Sequence, residues 1–378
     1  MPKSKSLNWL IPAIIVVVIL AVLYFTMWQP KPSEEKVIKI GAMLPLSGKN
    51  ALNGQYIQQA IILAQEEINQ NGGINGKKLE IIFEDDQGDP NIGATIAQKL
   101  INVDKVPLVL GPWSSSVALA VAPMFESSKT IMIAEVITPK LTNAGDYIFR
   151  VQPTGALYMK TLAGEVVNTL RIKKVGIMYI GNDYGASVKD AFVEEFEKNG
   201  GTIVDVEQYM DKQTDFRTEL TKISQKNPQA ILLVSYAQDA GLILKQAKEL
   251  GINVQFLGVP ALENRDLIKI AGEAAEGLIY PYHFDFESPN ENVQKFVSNY
   301  TAKFGHPPDG FAVLMYDGTY IAAKILEKCG RDTECMKNAL YNNTFKGVTE
   351  IKFDSNGDPL IPINLKTIKN GQFVPYKE

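Results

Sequence analysis

The chain has 378 residues, a formal net charge of −4 and 46% hydrophobic residues, which is longer than one average domain and ample for a packed core. Its mixed, mildly acidic charge lacks the basic face that a nucleic-acid partner requires. With two cysteines and two histidines, few metal or nucleophilic constellations can be built, and no cofactor is expected.

Lys3 and Lys5 precede an uncharged apolar run at 7–28, the length of a bilayer span. Trp9 at one end and Tyr24 and Trp28 at the other suit the membrane interface, and the leading positive charge places the bulk of the chain outside the cytoplasm. A cleaved signal would carry a shorter apolar core and a small-residue cleavage site, whereas Tyr24, Phe25, Met27 and Trp28 are bulky. Segment 1–28 is therefore expected to be a retained N-terminal transmembrane helix, with secretion after cleavage as the alternative. The stretch 29–36, QPKPSEEK, reads as a Pro-rich linker.

From Val37 onward the pattern alternates between strands and helices. Strands are predicted at 37–44, 79–84, 106–110 and 131–134, with helices at 53–70, from Asp89-Pro90 to about Val103, and at 117–125. A second round after Pro153 has helices at 154–170, 184–199, 216–226 and 240–250, and a short one near 264–270. Its strands are predicted at 174–180, 202–209, 230–235, 255–259 and 277–280. Two α/β units in series imply two parallel sheets wrapped by helices. Beyond Glu291 come helices at 291–304, 311–328 and 333–342, then strands at 350–353 and 361–368 with turns at Asn356-Gly357 and Asn370-Gly371. This tail has to pack back on the earlier units, so several chain crossings and an interlobe cleft are expected, which is a favoured ligand site.

One stretch concentrates chemistry. In VLGPWSSS, Val109 to Ser116, a strand ends in Gly111-Pro112 and a serine cluster opens a helix. A helix N-terminus carries unpaired N–H groups and partial positive charge, which suits a carboxylate or another small anion. Helix capping by Ser114 or Ser115 is the other reading. Tyr184 and Tyr236 occupy strand-to-helix turns of the second unit, either packing at the rim or closing over a ligand. Asp85, Asp86 and Asp89 lack calcium-loop spacing, so Asp89 is read as a helix cap and the preceding pair as solvated. The run from Gly72 to Lys77 fails as a phosphate loop, because Lys78 stands where Ser or Thr is needed. Cys329 and Cys335 are expected to form a local disulfide outside the cytoplasm, two free thiols being the alternative. His283 and His306 belong to neither a nucleophile motif nor a metal-spaced pair, so an enzyme is disfavoured.

Taken together, several motifs resemble the leucine/isoleucine/valine-binding family of type I periplasmic binding proteins. They are Gly41-Ala42-Met43-Leu44-Pro45-Leu46-Ser47-Gly48, Glu67-Ile68-Asn69 through Gly72-Gly73-Ile74-Asn75-Gly76, Asp85-Asp86 with Asp89-Pro90, Gly111 with Ser114-Ser115-Ser116, and Ala271-Gly272 with Ala274-Ala275-Glu276-Gly277. The resemblance runs from Val37 to the C-terminus. It implies two Rossmann-like lobes joined by a three-crossover hinge, with lobe 1 at 37–154 and 284–360 and lobe 2 at 155–283 and 361–378. It also implies an extracytoplasmic solute-binding protein that captures an amino acid or related small carboxylate or amide and delivers it to an ABC permease. The alternative is a membrane-anchored sensor serving a signalling partner. By resemblance Ser115, flanked by Ser114 and Ser116, and Thr138 take the ligand carboxylate. The backbone near Val136 takes the amino group, and Tyr184 and Tyr236 close the second side. Two positions depart from the family. Pro260 stands where an acid pairs with the ligand ammonium, and about Asn53 replaces an aromatic. Glu263, Asp239, Asp183 and Glu135 are the candidate substitutes for that acid.

Overall fold

The computed structural model describes residues 37–377; the expected membrane helix at 1–28 and the linker at 29–36 lie outside them. Among the described residues no helix is long and apolar enough to cross a membrane.

The first lobe is built from β1 (Val37–Leu44), α1 (Ala51–Gln70), β2 (Lys78–Asp85), α2 (Pro90–Asn102), β3 (Leu108–Leu110), α3 (Ser115–Ser128), β4 (Ile131–Ala134) and β5 (Ile148–Arg150). Its strands form a five-stranded sheet in the order β2-β1-β3-β4-β5, with every pair parallel. β3 and β4 read LVL and IMIA and are buried throughout, as expected of strands covered on both faces. Asp89 caps α2 by accepting from the N–H of Asn91 and Ile92, with Pro90 in the first turn.

The second lobe begins with α4 (Gly155–Asn168), β6 (Lys174–Ile180), α5 (Asp183–Lys198), β7 (Thr202–Tyr209) and α6 (Arg217–Ser224). It continues through β8 (Ala230–Val234), α7 (Ala237–Glu249), β9 (Gln255–Leu257), α8 (Arg265–Ala271) and β10 (Ile279–Tyr282). The chain then returns to the first lobe through α9 (Glu291–Phe304), α10 (Gly310–Cys329), α11 (Thr333–Asn342) and the small ribbon β11 (Thr344–Lys346) and β12 (Glu350–Lys352). It ends on the second lobe as the hairpin β13 (Asn364–Lys369) and β14 (Gln372–Pro375). That lobe's seven-stranded sheet has the order β14-β13-β10-β9-β8-β6-β7. α10 packs into the first core, where Phe311, Leu314 and Met315 share one buried apolar cluster with Ile131 and Ile133.

Three features differ from the sequence reading. Strand β10 extends through Pro281, because β9 pairs with it only at Ile279–Leu257 and leaves no ladder bond on that side for the proline to break. β5, β11 and β14 were not predicted as strands; β5 and β11 have three residues each, too few to display a period. Of the Asp85–Asp86 pair, Asp85 is half-buried and Asp86 is not solvated. Asp85 accepts from the N–H of Leu46 at 2.8 Å and from the Ser47 hydroxyl at 2.5 Å, fastening the loop after β1. Asp86 is fully buried, accepts from Gly88 N–H, and is pushed up to about 6 by desolvation. Cys329 and Cys335 are disulfide-bonded.

Candidate functional site

The site begins at the C-terminal end of β3. Gly111 has φ +88°, and an added Cβ would sit 2.2 Å from the Met43 carbonyl oxygen, so only glycine fits this corner. The corner delivers the chain directly into α3. The first intrahelical bond runs from Ala118 N–H to the Ser114 carbonyl, leaving the N–H groups of Ser115, Ser116 and Val117 ahead of it. Ser114 occupies the cap position but forms no side-chain cap bond, and the Ser115 hydroxyl is unpaired among the described residues. The capping reading of the serine cluster therefore lacks its hydrogen bond.

Ser115 faces a narrow interlobe cavity of about 20 Å³, the lobes being closed on each other. The first-lobe wall is Trp113, Ser115, Val136, Ile137 and Phe311, with Gln152 at the crossing; the opposite wall is Tyr184, Tyr236 and Ala261. Tyr184 and Tyr236 stack at 5.0 Å, and Tyr236 meets Trp113 across the cleft at 5.7 Å. Tyr184 donates to the Ser235 carbonyl at 3.2 Å. Burial raises both phenols above their usual range, so both remain donors at neutral pH. Of the sequence-predicted residues, Ser115, Val136, Tyr184 and Tyr236 line the cavity. Ser114 and Ser116 do not, because successive helix residues point about 100° apart and one serine of the cluster faces the cleft. Thr138 also lies off the wall, fully buried, with its hydroxyl unpartnered and its carbonyl taken by Arg150.

Trp113, Ile137, Gln152, Ala261 and Phe311 are wall residues that sequence reasoning missed. Trp113 abuts the serine cluster, so its position was a usable signal; Phe311 arrives from more than 150 residues away in sequence and carried none.

The four candidate acids have separate fates. Glu263 is buried and takes Lys366 Nζ at 2.6 Å and Tyr280 Oη at 2.6 Å. Asp239 takes Lys49 Nζ at 2.6 Å. Asp183 pairs with Lys140 at 3.4 Å on the surface. Glu135 is fully buried with both carboxyl oxygens unpartnered, and desolvation, reinforced by Asp309, holds it well above the carboxylate range. None of the four lies on the cavity wall.

Cross-lobe bonds gather around the N-terminus of α1. Lys49 reaches Asp239 of α7, and Asn53 accepts from Asn264 Nδ2 at 2.9 Å. A buried hydrogen-bonded chain joins α4, the residue that follows β10 and the start of α10. Tyr158 Oη lies 2.7 Å from His283 Nδ1, and His283 Nε2 lies 3.1 Å from the Gly310 carbonyl. A carbonyl only accepts, so Nε2 carries the proton and Nδ1 accepts from the phenol. Desolvation lowers His283 to about 4, keeping it neutral. Among the described residues no group of three or more His, Cys, Asp and Glu side chains is placed to hold a metal ion.

A profile of the periplasmic binding protein family matches residues 37–369. The chain belongs to this family. Among its relatives is the leucine-, isoleucine-, valine-, threonine- and alanine-binding protein of Pseudomonas aeruginosa, 28% identical over 344 residues, covering 90% of this chain and 89% of the relative. The branched-chain amino acid transporter substrate-binding protein of Streptococcus pneumoniae, solved with isoleucine, aligns with a TM-score of 0.83 at 27% identity, covering 89% of this chain and 97% of that one. The ABC-transporter solute-binding protein of Rhodopseudomonas palustris BisB5, solved with 3,4-dihydroxybenzoic acid, aligns with a TM-score of 0.81 at 27% identity, covering 90% and 95%. For this periplasmic binding protein, the family gives the two-lobe α/β fold a common purpose, the capture of a solute between the lobes.

Proposed function

We propose that the protein is the extracytoplasmic solute-binding component of an ABC importer, capturing an amino acid or related small carboxylate or amide in the interlobe cleft. One observation carries the reading. Ser115, in the first turn of α3 where the N–H groups lack intrahelical partners, brings an unpaired hydroxyl to a cavity whose far wall, Tyr184 and Tyr236, belongs to the other lobe. A carboxylate there meets several donors and the positive end of a helix dipole. Tyr184 and Tyr236 then close over the body of the ligand, and Thr138 stands behind the carboxylate end.

Binding shifts an open–closed equilibrium, since the closed form alone presents both walls to the ligand. Lobe 1 comprises 37–154 and 284–360, lobe 2 comprises 155–283 and 361–378, and the hinge is their three crossings. No bond is broken in this mechanism. The N-terminal segment anchors the lobes on the outer face of the cell membrane, and the closed form is what the permease accepts. The import reading is favoured over sensing by the transporter roles in the relatives' names.

Thermal unfolding of the full chain tests this. Leucine or 4-methylpentanoate is expected to raise the midpoint, as any ligand of the native state does, and Ser115→Ala is expected to reduce the shift. A broad panel of amino acids and small carboxylates that leaves the midpoint unmoved overturns the reading.

A further inference from the structure

The cavity wall carries a strong chemical bias. Four of its nine side chains are aromatic: Trp113, Tyr184, Tyr236 and Phe311. Trp113 sits edge-on to Phe311 at 5.8 Å, and Tyr184 lies nearly parallel to Tyr236, with 17° between the ring planes. These rings come from four separate segments, two on each lobe, so closure assembles the box.

No charged side chain lines it. Ser115 and Gln152 are the polar non-aromatic members. An α-amino acid brings an ammonium as well as a carboxylate. Burying that ammonium without a counter-charge leaves its desolvation uncompensated. Glu263, Asp239 and Asp183 are already occupied by Lys366, Lys49 and Lys140. Glu135 is unpartnered but stands behind the wall.

Resting on the reading of this cleft as a carboxylate site, we propose that its ligand is an aromatic monocarboxylate with no ammonium group, its carboxylate on Ser115 and its ring between Trp113 and Tyr236. Those two rings touch across the cleft at 5.7 Å. A third ring between them needs about 7 Å, two van der Waals spacings of ~3.5 Å. The lobes therefore close on the ligand slightly less tightly than they close on each other. Offset-stacked and edge-on ring contacts add to what area burial alone supplies, a gain that an aliphatic ligand forgoes.

The test compares three acids on the full chain by titration calorimetry: 3-phenylpropanoate, phenylalanine, which adds only the ammonium, and 4-methylpentanoate, which replaces the ring. Trp113 fluorescence is read in parallel, with Trp9→Phe and Trp28→Phe leaving it as the single indole. The expected result is at least ten-fold tighter binding of 3-phenylpropanoate than of either other compound, with a Trp113 emission change. Equal or tighter binding of phenylalanine overturns the proposal, and its loss in Glu135→Gln would assign Glu135 to the ammonium. Equal binding of 4-methylpentanoate overturns the ring assignment. If none of the three binds but another solute raises the melting midpoint in a Ser115-dependent manner, the substrate class falls and the cleft's function stands. If no solute does so, both fall.

Discussion

Replacing Lys49 with methionine separates the energetics of lobe closure from those of the cavity wall. Lys49 does not line the cavity, yet its ammonium lies 2.6 Å from Asp239, whose side chain is 4% exposed, and 3.0 Å from Asp211, which is 59% exposed. A hydrogen bond to a charged group contributes about 1.5–3 kcal/mol net, whereas an exposed ion pair contributes roughly 0–1 kcal/mol. Nearly all of the effect therefore belongs to Asp239. In the open form Asp239 regains water, so its loss of a partner is felt only on closure. Lys49→Met is expected to shift the open–closed equilibrium toward open by roughly ten- to a hundred-fold. Small-angle scattering without ligand should show a larger radius of gyration, and ligand affinity should fall on the same scale. Asp211→Asn is the control and should leave both nearly unchanged. An unchanged radius together with an unchanged affinity in Lys49→Met would refute the role of this pair in closure.

Ser115→Ala removes one donor to a charged carboxylate, a loss of about 1.5–3 kcal/mol, so titration calorimetry should show affinity reduced ten-fold or more with little change in unfolding midpoint. Asp86 is raised from 3.8 to about 6 by burial, so the folded state holds its proton more tightly than the unfolded chain. Stability should then fall as pH rises from about 4 to about 6 and level off above, by roughly 3 kcal/mol at 1.36 kcal/mol per unit. Asp86→Asn should flatten that window in urea titrations and be the more stable protein at pH 8. Lys366→Met strands the buried Glu263 charge beside Tyr280, which costs about 3–5 kcal/mol when one partner of a buried pair is removed. Adding Glu263→Gln to that variant should recover much of the loss in urea unfolding.

The periodicity of 37–259, the Asp89-Pro90 start of α2 and the glycine turn at Gly111 were all legible in the sequence, because each is written in a few adjacent residues. So were the parallel strands of the two sheets, since strand–helix alternation admits few other arrangements, though the second sheet is finished by the antiparallel β13 and β14, and so was the strand-to-helix corner at Ser115, since a serine cluster opening a helix is a local signal. The Asn370-Gly371 turn was likewise legible: both residues have positive φ, and the turn joins β13 to β14, although β14 itself was not predicted.

Tertiary structure alone decided which serine faces the cleft, because the direction of each side chain depends on how α3 is rotated against the sheet. It alone brought Phe311 beside Trp113, a contact between elements far apart in sequence. It also decided the fate of the candidate acids. Whether Asp239 or Glu263 can meet a ligand depends on which lysine folding brings next to each, and Glu135 on how deeply folding buries it; no local pattern records either. Local physics wrote the lobes and the corner between strand and helix, and the packing of distant segments wrote the ring-walled, uncharged box between them.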